Sequence, residues 1–405
     1  MNTKNNLKVA FVDPRYWYSP NLIKALIRLC PTLVSYIYLP KWSNSTSVKK
    51  IYFNSSMEKG EYNSSNVWST YSYPFDIFKK AASDHANLVH VQWELNNFGN
   101  FYASLLLPSL LLFLHVLRIK CVVTIHSVIP RASFSLKLPG FTIPKSIRIF
   151  VESLFIVLYK SIVLMSNATI VHGKSLKKLL CIDYKANPEK IFVVPYGVPS
   201  EVTTSYAPSK FDGTLDRNQE VILAIGTISP RKGLAVLIKA FKMLSSKHPS
   251  WTLIIAGNVP SYYDYYYSYL TKLASSIGNN RVVFLGGFNK LDVNRLLKQS
   301  NVVVFPYIYN FGVSSTLTFA LQHRKVVVIS ALNFATDLLN NGENALLVKP
   351  GNPILLAKAI ERAMSDQELR ITIKKGVNNL IQKTSWDFVA KETLEVYTKV
   401  LSGGI

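Results

Sequence analysis

The chain reads as an α/β protein built on two doubly wound parallel sheets, and three observations predict it. Short apolar runs alternate with segments of helical period through both halves, which is the pattern of βαβ units. The 405 residues are too many for one ordinary domain and enough for two, each with its own core. Between the halves, residues 199 to 219 are polar and hold Pro199 and Pro208, as a linker would.

In the first half, Leu7–Val12 is a strand that ends in a loop carrying Tyr16, Trp17 and Tyr18, and a helix follows over Asn21–Leu29. Thr32–Leu39 is the second strand. Residues 43 to 75 are rich in Ser, Asn and Tyr without a lasting period, so they predict a long loop with at most one strand or hairpin. Leu88–Trp93 alternates as a strand and delivers Glu94 to its end. Ser104–Leu117 is apolar all round, but it is shorter than the ~20 residues needed to cross a bilayer and contains Pro108. A buried or interfacial helix is the expectation. The strand Cys121–Ile125 leads to His126, a helix spans Ser146–Met165, and Asn167–His172 is a strand. A basic helix over Ser175–Leu180 and the strand Ile191–Pro195 close this half.

The second half opens with the strand Val221–Ile225, the turn-forming loop Gly226–Gly233, and a helix with Leu234, Leu237, Ile238, Phe241 and Leu244 on one face. Trp251–Ala256 completes the βαβ unit. Further strands are expected at Val282–Leu285, Val302–Pro306, Val326–Ile329 and Ala345–Val348, and helices at Ser261–Ile277, Asp292–Gln299, around Leu317–Leu321, Pro353–Met364 and Gln367–Leu380. A last helix runs from Ser385 to Leu401.

Net charge is +23, of which residues 1 to 200 hold +14. An excess of this size suggests an anionic partner, nucleic acid or a phospholipid surface. No zinc, helix-turn-helix or RNP-like pattern is present, so a nucleic-acid-binding protein ranks last and no nucleic acid is expected. Cys30, Cys121 and Cys181 are far apart with no C-x-x-C spacing, which indicates neither a disulfide frame nor a metal site and favours a reducing compartment. The polar start MNTKNNLK does not resemble a signal peptide. Sequons at Asn44, Asn54, Asn63 and Asn167 are attributed to Asn/Ser richness.

The chemistry is concentrated in the loop after Ile225. Arg231 and Lys232 lie above the carboxyl end of a parallel strand, where open sheets bind ligands, and the amides of the following helix start suit phosphate. A diphosphate is the first candidate, with a merely solvated surface pair as the alternative. Gly226, Lys232 and Gly233 resemble the G-x-x-x-x-x-K-G donor loop of family 4 glycosyltransferases of the GT-B class. So do the order and spacing of LVHVQWE, VVTIHSVIPR, ATIVHGKSLKKLL, NVVVFPY and NNGENALLVKPGNP.

That resemblance implies a GT-B fold, two Rossmann-like domains facing across a cleft. It implies an acceptor-side domain over 1–198, a nucleotide-sugar domain over 220–384, and a final segment 385–405 crossing back to the first domain. It also implies transfer of a sugar, with retention of configuration, from a nucleoside diphosphate sugar to a lipid-linked or saccharide acceptor. Lys232 and Arg231 would neutralise the departing diphosphate, and His126 would approach the donor sugar. Gly226, Thr227, Ser229 and the helix start Gly312, Val313, Ser314, Ser315 and Thr316 would bind the donor, with Tyr16, Trp17 and Glu94 on the acceptor side. No metal or other cofactor is expected, because no D-x-D pair occurs.

The chain departs from the family at 306 to 321. Two glutamates eight apart are usual there; Phe311 and Phe319 take their places, and no carboxylate occurs between Asp292 and Asp337. That departure leaves a catalytically inactive partner subunit as an alternative. Residues 131 to 151 combine Arg131, Lys137, Lys145 and Arg148 with Phe134, Leu138 and Phe141 and contain no acid. The expectation is a peripheral protein of the cytoplasmic membrane face, bound to anionic lipid through exposed Phe134, Leu138 and Phe141.

Overall fold

A computed structural model describes residues 7–14, 18–41, 62–135, 143–199, 220–278 and 281–404. They form two compact units, one ending at Gly197 but regaining the chain from Trp386 onward, the other built chiefly from Val198–Ser385.

The first unit contains β1 (Lys8–Val12), β2 (Val34–Pro40), β3 (Tyr62–Trp68), β4 (Leu88–Trp93), β5 (Lys120–Ile125), β6 (Ala168–Val171) and β7 (Ile191–Val193). They lie in the order β3-β2-β1-β4-β5-β6-β7, every neighbouring pair parallel. Parallel neighbours need crossovers, and helices supply most of them. These are α1 (Ser19–Leu29), α2 (Tyr73–Ser83), α3 (Phe101–Ser104), α4 (Leu107–Val116), α5 (Arg148–Met165) and α6 (Lys174–Asp183). The strand order reverses between β1 and β4.

The second unit repeats the scheme with β8 (Glu220–Ile225), β9 (Trp251–Ala256), β10 (Val282–Gly286), β11 (Val302–Phe305), β12 (Val326–Ser330) and β13 (Leu346–Val348). Their order is β10-β9-β8-β11-β12-β13, again parallel throughout. Its helices are α7 (Leu234–Ser245), α8 (Asp264–Ser275), α9 (Lys290–Gln299), α10 (Ser315–Gln322), α11 (Asn333–Thr336), α12 (Pro353–Ser365) and α13 (Gln367–Thr384). Helices on both faces require strands that are apolar on both faces. β11 and β12, VVVF and VVVIS, are buried at every residue. Here the order reverses between β8 and β11, so the loops leaving those two strands diverge to opposite faces and open a crevice at their carboxyl ends.

The closing helix α14 (Trp386–Leu401) belongs to the first unit. Its Trp386, Val389, Ala390 and Tyr397 share a core with Leu22, Ile23 and Leu26 of α1. A Cβ on Gly197 would come within 2.5 Å of the Trp386 indole, so the missing side chain lets that ring seat.

Three expectations are corrected. Residues 43 to 75 hold the one strand that the sequence allows for, β3, paired with β2 at the sheet edge, but they also reach into a helix: α2 begins at Tyr73 with Pro74 in its first turn. The sequence YNSSNVW lacks apolar alternation because an edge strand does not need it, and residues 42–61 lie outside the described ones. The apolar run 104 to 117 is not one helix. It breaks at Leu105-Leu106, Pro108 occupies the first turn of α4 where its missing N–H costs nothing, and Leu112 and Val116 are exposed. Phe134 is not a surface residue: it is buried with its ring 5.1 Å from that of Phe155. Lys137, Leu138 and Phe141 lie outside the described residues.

Candidate functional site

The loop that follows β8 is held by backbone on both sides. The amide of Gly226 donates to Ala256 O (2.9 Å) and that of Ile228 to Asn258 O (2.9 Å), tying it to the end of β9. A 3-10 turn over Pro230–Lys232 then reaches Gly233, whose φ of +68° turns the chain into α7. A Cβ at Gly233 would stand 1.9 Å from Pro306 O, so only glycine lets this turn lie against the end of β11. Ile308 N donating to Arg231 O (2.9 Å) closes the seam. The Lys232-Gly233 pair is therefore one device: the glycine permits the approach and the lysine is aimed by it.

Lys232 is 9% exposed. Its Nζ donates to Tyr307 Oη (2.8 Å) and lies 4.0 Å from the ring centroid. Tyr307 Oη is also 2.8 Å from Ser314 Oγ, which is 2.9 Å from Thr316 Oγ1. Beside it Arg231 Nη1 donates to Asn310 Oδ1 (2.7 Å), and Asn310 Nδ2 donates to Gly312 O. None of the ion pairs among the described residues involves either cation.

Burial pushes the Lys232 pKa down, Tyr307 counters it, and the Arg231 charge lowers it further. For Tyr307 burial alone would raise the phenol, but the Lys232 charge and the hydrogen bonds from Lys232, Ser314 and Thr316 outweigh it, leaving it lowered. Ser229 Oγ, on a residue 3% exposed, has no hydrogen-bond partner. A buried ammonium in a neutral cradle, an adjacent guanidinium and an unsatisfied hydroxyl together favour an anion.

The start of α10 adds backbone donors. Ser314 is its N-cap, yet its side chain makes no capping bond, being engaged by Tyr307 and Thr316. Thr316 Oγ1 and Lys232 Nζ each lie 3.8 Å from where a Cβ on Gly226 would be, so loop, lysine and helix start converge there. A pocket at this place is lined by Gly226, Thr227, Lys232, Leu234, Pro306 and Tyr307, among others. Thr227 is exposed, Gly312 buried, and Val313 and Ser315 half-buried. Tyr307 and Asn310 were missed by sequence reasoning. Their signal was position: both follow β11, the strand across the reversal from β8. Phe311 pairs with Tyr309 (ring centroids 5.2 Å), and Phe319 packs on the core.

In the first unit Glu94 and His126 follow Trp93 and Ile125, which are partners in the β4–β5 register. His126 Nε2 is 2.9 Å from Gln92 Oε1, and its Nδ1 is 3.0 Å from His172 Nε2. His172 Nδ1 is 3.0 Å from Val194 O, a group that only accepts, so Nδ1 carries the proton. Both ring nitrogens of His126 are therefore engaged within the protein. Behind them His90 Nδ1 is 2.6 Å from Tyr397 Oη, and its Nε2 is 2.7 Å from Thr124 Oγ1. Burial lowers His172 to about 4, the Val194 hydrogen bond acting in the opposite sense. Burial, with a smaller push from His172, lowers His90 to about 3. Sequence reasoning found neither. Tyr16 and Trp17 lie outside the described residues. Among the described residues no group of three or more His, Cys, Asp or Glu could hold a metal ion.

Residues 207–379 match the family model of glycosyl transferases group 1. An uncharacterized glycosyltransferase of Methanocaldococcus jannaschii is 29% identical over 56% of this chain and 58% of its own length. Phosphatidyl-myo-inositol mannosyltransferase of Mycolicibacterium smegmatis is 23% identical over 52% of this chain and 53% of its own. The chain thus spans less than two thirds of these relatives. Among solved structures, Anabaena HepE in complex with UDP-glucose superposes with a TM-score of 0.70 over 97% of this chain and 100% of that one, at 16% identity. The fold is GT-B.

The histidine network makes stability pH-dependent. Unfolded histidine titrates near 6.5, whereas His90 and His172 take up no second ring proton in the fold until about pH 3 and 4. Between those limits the unfolded chain binds more protons, so stability is complete above pH 6.5 and is lost as pH falls, by at most about 1.4 kcal/mol per pH unit per histidine. Urea midpoints should fall steadily from pH 6.5 to 4.5, less steeply in His172→Gln. A flat profile would contradict the assignment.

Proposed function

We propose that the protein is a glycosyltransferase that takes a sugar from a nucleoside diphosphate sugar and retains its anomeric configuration. The observation that carries this reading is the buried Lys232 beside Arg231, without a carboxylate, at the strand-order reversal of the second sheet. As a glycosidic bond to diphosphate breaks, negative charge grows on the leaving group. Preorganised cations and amides stabilise that charge more than they stabilise the ground state. Lys232, Arg231 and the first amides of α10 are fixed before substrate arrives, by Gly233, Tyr307 and Asn310. The group-1 match over 207–379 contains this loop and supports the reading.

No carboxylate occurs from 293 to 336 to meet a ribose, and the hydroxyls of Ser314 and Thr316 are polar groups that could serve instead. The same gap is the one observation that favours the second reading, an inactive partner subunit. The Mycolicibacterium relative is named for phosphatidyl-myo-inositol, which supports a lipid-linked acceptor here.

A lipid-linked acceptor places the protein on the cytoplasmic membrane face. No helix among the described residues is long and apolar enough to cross a membrane. Instead α5 turns Ile149 (80% exposed), Phe150 (71%), Val157 and Leu164 to the outside. Exposed Lys145 and Lys160 accompany them. Its Glu152 faces Arg131 at 3.5 Å. Large apolar side chains with flanking cations and no free acid fit an anionic phospholipid interface.

Lys232→Ala should lower transfer by roughly a hundredfold or more, on the order of 2 to 4 kcal/mol of transition-state stabilisation, while melting temperature does not fall. Wild-type turnover in that variant would end the phosphate assignment. For the membrane, the protein should float with phosphatidylglycerol vesicles in a salt-sensitive way, and Phe150→Ser with Val157→Ser should release most of it. Protein left in the soluble fraction at low salt would remove this part of the proposal.

A further inference from the structure

The opposite edge of the second sheet holds a different concentration of charge. Lys298 stands at the end of α9 just before β11, and His323, Arg324 and Lys325 form the turn between α10 and β12, so these residues gather at the amino ends of the strands. The loops carrying Lys232 leave the carboxyl ends. α13 packs against α10 and β12 and brings Arg370 and Lys374.

The cluster is built by specific bonds rather than by chance proximity on a mobile surface. Lys325 Nζ donates to Ser300 O (2.7 Å) and Lys298 O (3.2 Å). Arg324, with φ of +53°, donates from Nε to Asn378 Oδ1 on α13 (2.7 Å) and from Nη1 to Gln322 O (3.2 Å). His323 Nε2 is 3.0 Å from Asn294 Oδ1. Every one of these partners is neutral, and none of the ion pairs among the described residues involves any of the six. Burial lowers Lys325 to about 8, and the positive charges of Lys374 and Arg370 act in the same sense. Burial lowers His323 to about 4, with Lys325, Lys298 and Arg324 adding to it. Lys298, Arg324 and Lys374 remain exposed and reachable.

We propose that this cluster binds an anion carrying two or more phosphate groups, at a site separate from the donor loop. Mutual repulsion of cations held by neutral partners is relieved by a multivalent anion, and an arginine and lysines on three elements suit phosphates spaced along a ligand rather than one carboxylate. The chemistry is that of a lipid headgroup or of a soluble polyphosphate.

The test uses the full chain carrying Lys232→Ala, so that the donor loop does not compete, and inorganic tripolyphosphate as probe in calorimetry at pH 8. Binding is expected with proton uptake, because an anion raises the pKa of Lys325 toward its ordinary value. Arg324→Glu and Lys374→Glu should each weaken it at least tenfold, while Lys247→Glu, an exposed site elsewhere on this unit, leaves it within a factor of two. Equal losses in all three variants, or no binding, would overturn the proposal. Vesicles carrying a bisphosphorylated lipid headgroup, tested in the Phe150→Ser, Val157→Ser background that removes the α5 face, distinguish the sources: binding lost in Lys374→Glu and competed by tripolyphosphate assigns a headgroup. Tripolyphosphate binding that depends on Lys374 without vesicle binding assigns a soluble anion.

Discussion

A lysine ammonium held out of water with no carboxylate to answer it is the constraint on which the second unit's architecture turns. Taking such a charge from solvent costs several kcal/mol unless its surroundings repay it. Tyr307 repays part, through its hydroxyl at 2.8 Å and its ring face at 4.0 Å. Keeping that phenol in place requires Ser314 and Thr316 to spend their hydroxyls on the same network, which leaves the start of α10 uncapped. Gly233 must be glycine for the loop to meet Pro306 at all. One unpaired charge thus connects the glycine pattern, the tyrosine after β11 and the polar helix start into a single arrangement poised for an anion.

The parallel sheets were legible because both faces of each are covered by helices, which forces near-continuous apolar strands such as VVVF and VVVIS. The same physics hid β3: an edge strand pairs on one side only, so YNSSNVW carries no apolar signature. Around the loop after β8, Gly226, Arg231, Lys232 and the 312–316 segment could be singled out because they are close in sequence or follow a motif. Tyr307 and Asn310 could not, since their roles arise only when β11 is placed beside β8. Phe134 misled for a related reason. Apolar residues interleaved with cations look alike whether they face lipid or a core, and the contact with Phe155 that decides it is nonlocal.

The histidines show how burial reshapes a residue's use. His126 at a strand end suggests a free imidazole, but Gln92 and His172 engage both its nitrogens, and Tyr18 packs edge-on against it at 5.0 Å. Tyr397, from the far end of the chain, fixes His90 within the same network. The closing helix therefore contributes both apolar core and a polar tie to the first sheet, a dependence that no local pattern displays.

The central claim is that the pocket beneath Gly226 recognises a diphosphate. Isothermal titration of the unmodified protein with UDP and with uridine tests it most directly, since the two ligands differ only in the group Lys232 and Arg231 would meet. Two charge-assisted contacts at about 1.5 kcal/mol each correspond to a preference of on the order of a hundredfold. UDP binding at least that much tighter, and weakening with added salt, is the predicted result. Equal affinity for UDP and uridine would contradict it.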